Sequence, residues 1–360
     1  MDNSRAILKQ FRLNGAIKDV RPYGNGHIND TYLVETLYGD EEIKYIFQRV
    51  NRNVFKNPVQ VMKNIEKVTA FLKIRTDSER EVLSLVPTVK GDIYIEDADG
   101  SVWRVYKFID NSVCLDNVES PEDFYECAFA FGRFQKNLDN FPADTLFETI
   151  PNFHNTPVRY GDFLRAVSED KCGRANGVKD EIEFIRARQD FYSCLIDAER
   201  RGELPLRVTH NDTKSNNVML DKDTRKALCV IDLDTVMPGY SVTDFGDAIR
   251  FGASTAAEDE KDLSKVHFDL ELYKAYLKGY LDGCDGKLKQ SEIMLMPEGA
   301  KMMTVECGIR FLADYLNGDT YFKTSYSEHN LVRARTQLKL VKEMEDNWDM
   351  MKAAVKAYCR

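Results

Sequence analysis

The chain has 360 residues, 43% of them hydrophobic and 30% charged, with a formal net charge of −9. That length accommodates about two domains. The acidic balance excludes the basic clusters that non-specific nucleic-acid binding or a membrane-surface patch requires, though not a local basic pocket for a nucleotide. No apolar run approaches the roughly 20 residues of a membrane span, and the N-terminal MDNSRAILKQFRLNG lacks the long apolar core of a signal peptide. The eight cysteines make no C-x-x-C pair, which reads against zinc ribbons and fits reduced thiols in a cytoplasm. The five histidines form no H-E-x-x-H.

The first hundred residues read mostly as strand. Residues 31–36 (TYLVET) and 43–50 (IKYIFQRV) are short β-type runs joined by a polar turn. Gly24-Asn25-Gly26 lies just ahead of them, in a turn that joins strand to strand. A dinucleotide fingerprint needs a helix after its glycines, and no G-x-x-x-x-G-K-[ST] loop is present. A helix follows: Asn57 is its cap, Pro58 fits the first helical position, and Val61, Ile65, Val68 and Leu72 fall on one face. Residues 93–96 and 102–109 flank Asp99-Gly100 as a hairpin. From about Pro121 helical periodicity dominates, ending in a long amphipathic stretch over 333–358. A β-like island at 207–234 interrupts it. These features predict two closely packed lobes with a cleft between them: a small β-rich one, residues 1–108, and a larger helical one, residues 109–360.

The island carries the chemistry. His210-Asn211-Asp212 is followed by Asn217, then by an apolar run, 227–231, that ends in Asp232-Leu233-Asp234. Phosphoryl transfer needs a carboxylate to accept the proton of a hydroxyl nucleophile. It also needs oxygen ligands for the magnesium that bridges nucleotide phosphates. Asp212 fits the first role; Asn217 and Asp232 fit the second. If 227–234 is extended, Asp232 and Asp234 point the same way. Asp234 is then either a further magnesium ligand or a turn cap before Thr235. Asp244 and Asp247, in TDFGDAIRFG, are placed to brace this loop by hydrogen bonds.

A kinase-like site also needs a strand cation for the α- and β-phosphates, held by a helix carboxylate. Arg49 shares strand parity with Tyr45 and Phe47, which favours it over Lys44 on the opposite face; Glu66, on the helix, is its natural partner. Gly24 and Gly26 suit a hairpin folding over phosphates, with an ordinary turn as the competing reading. His27, alone in a loop, and Arg310, in the apolar stretch CGIRFLADYL where a charge needs a partner, stay open between structural and functional roles.

HNDTKSNNVML followed by VIDLDT resembles the aminoglycoside phosphotransferase and choline kinase family. PYGNGHINDTYLV, FQRVN, WRVYKFI, FGDAIRFGAST, ECGIRFLADYLNGD and EHNLVRARTQLKLVKEME extend the likeness from Pro22 to Glu345 and resemble more specifically members that act on N-acetylhexosamines. The resemblance implies an α+β, protein-kinase-like two-lobed fold and ATP-dependent transfer of the γ-phosphate to the anomeric hydroxyl of N-acetylglucosamine or N-acetylgalactosamine. It implies Asp212 as base, Asn217 and Asp232 as ligands of Mg2+, and adenine near Tyr106 and Phe108. His27, Phe251 and Arg310 would meet the sugar. Partners would be the sugar and ATP, with no nucleic acid and no membrane. The chain departs from the protein-kinase pattern at Asn29, in place of the third glycine, and at Arg49, in place of the strand lysine. Two readings compete: a kinase of another small alcohol, such as choline with its aromatic cage or an aminoglycoside with an acidic site, and a non-catalytic sugar or nucleotide sensor.

Overall fold

The structure is a computed structural model that describes residues 2–24, 28–115, 118 and 120–359. In chain order its elements begin α1 (Asp2–Leu8), β1 (Ala16–Pro22), β2 (Asp30–Tyr38), β3 (Glu41–Arg49), α2 (Pro58–Lys73), β4 (Ile95–Glu96), β5 (Val102–Lys107) and β6 (Ser112–Cys114). They continue α3 (Pro121–Asn137), α4 (Thr156–Glu169), α5 (Lys179–Arg186), α6 (Cys194–Arg200), β7 (Arg207–Thr209), β8 (Val218–Asp221), β9 (Ala227–Val230) and β10 (Met237–Gly239). The remainder is helical: α7 (Ser241–Gly252), α8 (Leu270–Cys284), α9 (Gln290–Met294), α10 (Met296–Leu316), α11 (His329–Asp346) and α12 (Trp348–Lys356). The chain divides into two compact units. The first comprises Met1–Val113, Asn140–Pro151 and Val218–Met237; the second comprises Cys114–Asp139, Asn152–Asn217 and Pro238–Arg360.

The first unit is built on a five-stranded sheet of order β1-β2-β3-β5-β4 with antiparallel neighbours. The two runs expected at 31–36 and 43–50 are β2 and β3. Strand β1 gives no strong sequence signal because it is an edge strand with no fully buried residue. Side chains alternate across the sheet. On one face Tyr45, Phe47 and Trp103 bury against Ile7, Leu8 and Phe11, with Phe47 and Trp103 stacked at 4.7 Å. The opposite face carries Gln48 and Arg104, which are cross-strand partners, and meets α2, where Arg104 lies 3.9 Å from the Met62 sulfur.

Helix α2 has the expected form. The Asn57 side chain accepts from the Gln60 N–H, Pro58 opens the first turn, and Val61, Ile65, Val68 and Leu72 are buried. Its one buried amide joins the distant segments of this unit. Asn64 donates to the carbonyls of Phe147 (2.8 Å) and Val236 (2.9 Å) and accepts from the Phe147 N–H (2.9 Å). Strands β8 and β9 pair antiparallel.

The second unit is a helical assembly in which α10 packs on α4, α7 and α11, and α3 packs on α8. Two contacts are backbone to backbone. Gly132 of α3 lies against the Tyr280 carbonyl and the Gly283 Cα of α8, and Gly246 of α7 against the Gly299 carbonyl of α10. The long C-terminal stretch divides at Asn347, whose side chain donates to the Glu343 carbonyl (2.8 Å) and diverts the backbone there.

Placing a methyl group at the α7–α10 crossing forces the helices apart. Gly246→Ala is expected to lower stability by about 1–3 kcal/mol, read as a lower urea midpoint at unchanged slope.

Candidate active site

The residues expected to form a catalytic loop lie in the second unit. Strand β7 leads into His210, which is fully buried. Phe131 and Phe134 of α3 set their rings edge-on to its imidazole at 5.4 and 6.2 Å. Its Nδ1 accepts from the Asp212 N–H at 3.3 Å. Asn211 is left-handed, with φ 64°, a conformation that Asn tolerates better than most residues. Asp212 follows. The 3-10 turn Ser215–Asn217 then returns Asn217, whose Nδ2 donates to the Asp212 carbonyl (2.8 Å) and carboxylate (3.1 Å). Asp212 and Asn217 are therefore neighbours, and the amide oxygen of Asn217 is left for another partner. Lys214 Nζ lies 3.0 Å from the other Asp212 oxygen, and Asp212 raises the lysine's pKa.

Helix α7 braces this loop, as its two aspartates suggested. Asp244 accepts from the N–H groups of His210 and Asn211, both at 2.8 Å. The Thr213 hydroxyl donates to the Asp244 carbonyl at 2.6 Å, and the Thr213 N–H to Asp247 at 2.9 Å. Burial pushes the Asp244 carboxyl from 3.8 up to about 6, against the pull of His210. Burial would also raise Asp247, but Arg250 and Lys214 hold it below the ordinary carboxylate value.

The second acidic motif lies in the first unit, and its backbone differs from the extended form expected. Strand β9 ends at Val230, Asp232 is left-handed (φ 58°, ψ 61°), and Leu233–Thr235 is a 3-10 turn. The two carboxylates therefore do not share one side of a strand. Asp232 is exposed, whereas Asp234 is 3% exposed. Asp234 is neither solvated nor a cap: Oδ1 pairs with Arg104, and Oδ2 accepts from Asn29 Nδ2 at 2.6 Å.

The expected Arg49–Glu66 pair does not form. Arg49 donates to Asp30 at 2.7 Å and lies over Trp103, while Glu66 is exposed on α2. Arg49 does share strand parity with Tyr45 and Phe47, but α2 packs on the other face of the sheet, where the buried cation is Arg104. Gly24 is exposed with φ 78°; Gly26 and His27 lie outside the described residues. Tyr106 is buried, and its hydroxyl has no hydrogen-bond partner among the described residues. Phe108 meets Tyr23 edge-on at 6.0 Å.

Among the described residues no group of three or more His, Cys, Asp or Glu side chains could hold a metal ion. Magnesium takes one or two protein oxygens and completes its shell with water and nucleotide phosphate; the Asn217 amide oxygen in the second unit and the exposed Asp232 carboxylate in the first are each of the type it takes.

Arg310 and Phe251 belong to the second unit. Phe251 is half-buried near the end of α7. The Arg310 guanidinium lies 5.3 Å from the Phe153 ring centroid, 5.9 Å from Tyr321 and 5.5 Å from Phe322. Arg159 is close enough that burial, together with the Arg310 charge, lowers its pKa. Among the described residues neither guanidinium has a carboxylate within ion-pair distance. Glu306 is instead bonded to His154 (2.9 Å) and Thr156 (2.6 Å).

Sequence reasoning passed over Lys214, Arg104 and Arg159. Lys214 was signalled by its place two residues after Asp212. Arg104 was signalled as a charge inside the apolar run VWRVY. Arg159 has no local signal, because its neighbourhood is assembled from α4 and α10.

The architecture and the loop define a protein-kinase-like fold, with an antiparallel sheet in an N-terminal lobe and a helical C-terminal lobe. The chain belongs to the phosphotransferase enzyme family, whose sequence model matches residues 19–285. Solved structures agree over nearly its whole length. An aminoglycoside phosphotransferase from Alicyclobacillus acidocaldarius is 12% identical, with a TM-score of 0.66 over 98% of this chain and 96% of that one. A choline kinase from Cryptosporidium parvum is 14% identical, with a TM-score of 0.57 over 99% and 98%. A spectinomycin phosphotransferase solved with ADP and spectinomycin is 9% identical, with a TM-score of 0.55 over 91% and 92%. No described helix is long and apolar enough to cross a membrane.

The raised Asp244 value has a pH consequence. The folded state binds this proton more tightly than the unfolded chain, so the contribution is complete below about pH 4 and is lost as pH rises through about 6. Relative to Asp244→Asn, the wild type is expected to lose about 3 kcal/mol of stability between pH 4 and 7, measured by urea unfolding of both proteins across that range.

Proposed function

We propose that this protein is an N-acetylhexosamine 1-kinase, which transfers the γ-phosphate of ATP to the anomeric hydroxyl of N-acetylglucosamine or N-acetylgalactosamine. Asp212 accepts the hydroxyl proton as the oxygen–phosphorus bond forms and ADP departs. Asn217 holds the Asp212 carboxylate in place by its amide N–H and offers its oxygen, with Asp232, to magnesium. When bound, the metal neutralises charge on the β- and γ-phosphates. Lys214, beside Asp212, meets negative charge on the transferring group. The anomeric hydroxyl is more acidic than an ordinary alcohol, so a carboxylate base suffices. The ADP found with the spectinomycin enzyme supports an adenine nucleotide as donor. Tyr106 and Phe108 are proposed beside the adenine, and Gly24 and Gly26 over the phosphates. His27, Phe251 and Arg310 are proposed at the sugar.

The observation that carries the choice of acceptor is Arg310 among the rings of Phe153, Tyr321 and Phe322, with Arg159 close enough to feel its charge. The two guanidinium groups share the charge of Glu306, a carboxylate already bonded to His154 and Thr156, and this excess of positive charge repels an amine. The guanidinium groups suit hydroxyl and amide oxygens, and the aromatic faces suit the apolar face of a neutral sugar ring. Choline and aminoglycosides are cations and would need the opposite charge.

A kinase assay over a panel of N-acetylhexosamines, simple hexoses, choline and aminoglycosides, with the phosphorylated position identified, tests this. Phosphate at C1 of an N-acetylhexosamine supports the reading. Turnover of the amines alone, or sugar binding without ATP consumption, refutes it. Asp212→Asn is expected to reduce kcat by about 10²–10⁴-fold while ATP binding persists. Arg310→Leu should cost about 10–100-fold in kcat/KM for the sugar, the loss of a charged hydrogen bond, with the ATP KM little changed.

A further inference from the structure

Protein-kinase-like sites place their phosphate cation on β3 and pair it with a helix carboxylate. Here the β3 residue paired with Arg104 is the neutral Gln48, and the polar side chains that α2 buries, Asn64 and Thr69, carry no charge. The buried cation lies one strand over. Arg104 is 1% exposed, its Nε donates to the Gln48 amide oxygen at 3.0 Å, and its Nη1 pairs with Asp234. The other Asp234 oxygen takes the Asn29 amide, and Asn29 in turn accepts from the Asn51 N–H at 3.0 Å. Both oxygens of this buried carboxylate are thus engaged by protein donors, in a chain that runs from the residue just before β2 to the middle of the sheet. Asp232, two residues earlier, is exposed and left-handed.

We infer that Asp234 is a positioning residue and not a metal ligand: with Arg104 and Asn29 it ties the segment entering β2 to the loop that presents Asp232, which serves alone in that loop as the magnesium carboxylate. This rests on the nucleotide-dependent kinase reading but not on which acceptor is used. A buried charge left without its partner is costly, whereas removing both members of the pair is tolerated far better. The two roles therefore diverge in a double-mutant cycle.

The test measures affinity for Mg2+–ATP against metal-free ATP by calorimetry, with no acceptor present. Arg104→Gln and Asp234→Asn are each expected to weaken Mg2+–ATP binding about tenfold or more, as losses of outer supporting groups do. The double variant should recover to within about threefold of wild type, because it restores a matched neutral pair. The double variant carries no unpaired charge, so it stays measurable if the single variants are unstable. Asp232→Ala, in the same assay, should abolish the preference for the magnesium complex. A double variant as deficient in magnesium preference as Asp232→Ala would make Asp234 a ligand and overturn the inference. Wild-type protein that binds Mg2+–ATP but phosphorylates no N-acetylhexosamine would refute the proposed acceptor and leave this inference standing.

Discussion

Asp244 is withdrawn from water and accepts hydrogen bonds from the backbone N–H groups of His210 and Asn211, and the shape of the loop that carries Asp212 follows from that brace. A carboxylate in such a place is tolerated only if its oxygens are fully used. Here they are used on backbone donors that a left-handed Asn211 turns inward. Asp247 repeats the arrangement one helical turn later with Thr213 and Arg250. The close crossing of α7 on α10 at Gly246 lies between these two aspartates in sequence, so tight packing and loop support come from the same turn of helix.

The same economy of buried charge shapes the first unit. The sheet has one apolar face, stacked through Phe47 and Trp103, and one face that carries a cation. Arg104 is compatible with burial because Asp234 and Gln48 take its donors. Asn64 performs the equivalent service for backbone, satisfying the carbonyls of Phe147 and Val236 and thereby joining three separated chain segments into one unit. In both units the groups suited to chemistry are short polar side chains held in tight turns. The groups that hold them are buried on regular elements.

Much of this was legible in the chain. The capped helix at Pro58, the hairpin strands, the helical second half and the Asp212–Asn217 spacing rest on local rules: periodicity, capping and turn chemistry. Those rules act over a few residues and were visible in full. Asp244 and Asp247 could be named as braces because they follow the loop closely and carry the right groups. The extended reading of 227–234 failed because nothing local announces that Asp232 turns left-handed. The Arg49–Glu66 pairing failed for a different reason: strand alternation says which residues share a face, but not which face the next helix covers.

The sequence by itself determined the hairpin strands, the capped helix at Pro58, the helical second half, the family, and the loop in which a carboxylate, a lysine and an amide come within a few residues of one another, because short-range geometry settles those matters. Tertiary structure decided that Arg104 and not Arg49 is the buried cation, that Asp234 is enclosed while Asp232 is open, and that Arg159 joins Arg310. Each of those outcomes depends on which distant segment supplies a partner to a charge leaving water, and that is settled only when the whole chain has packed.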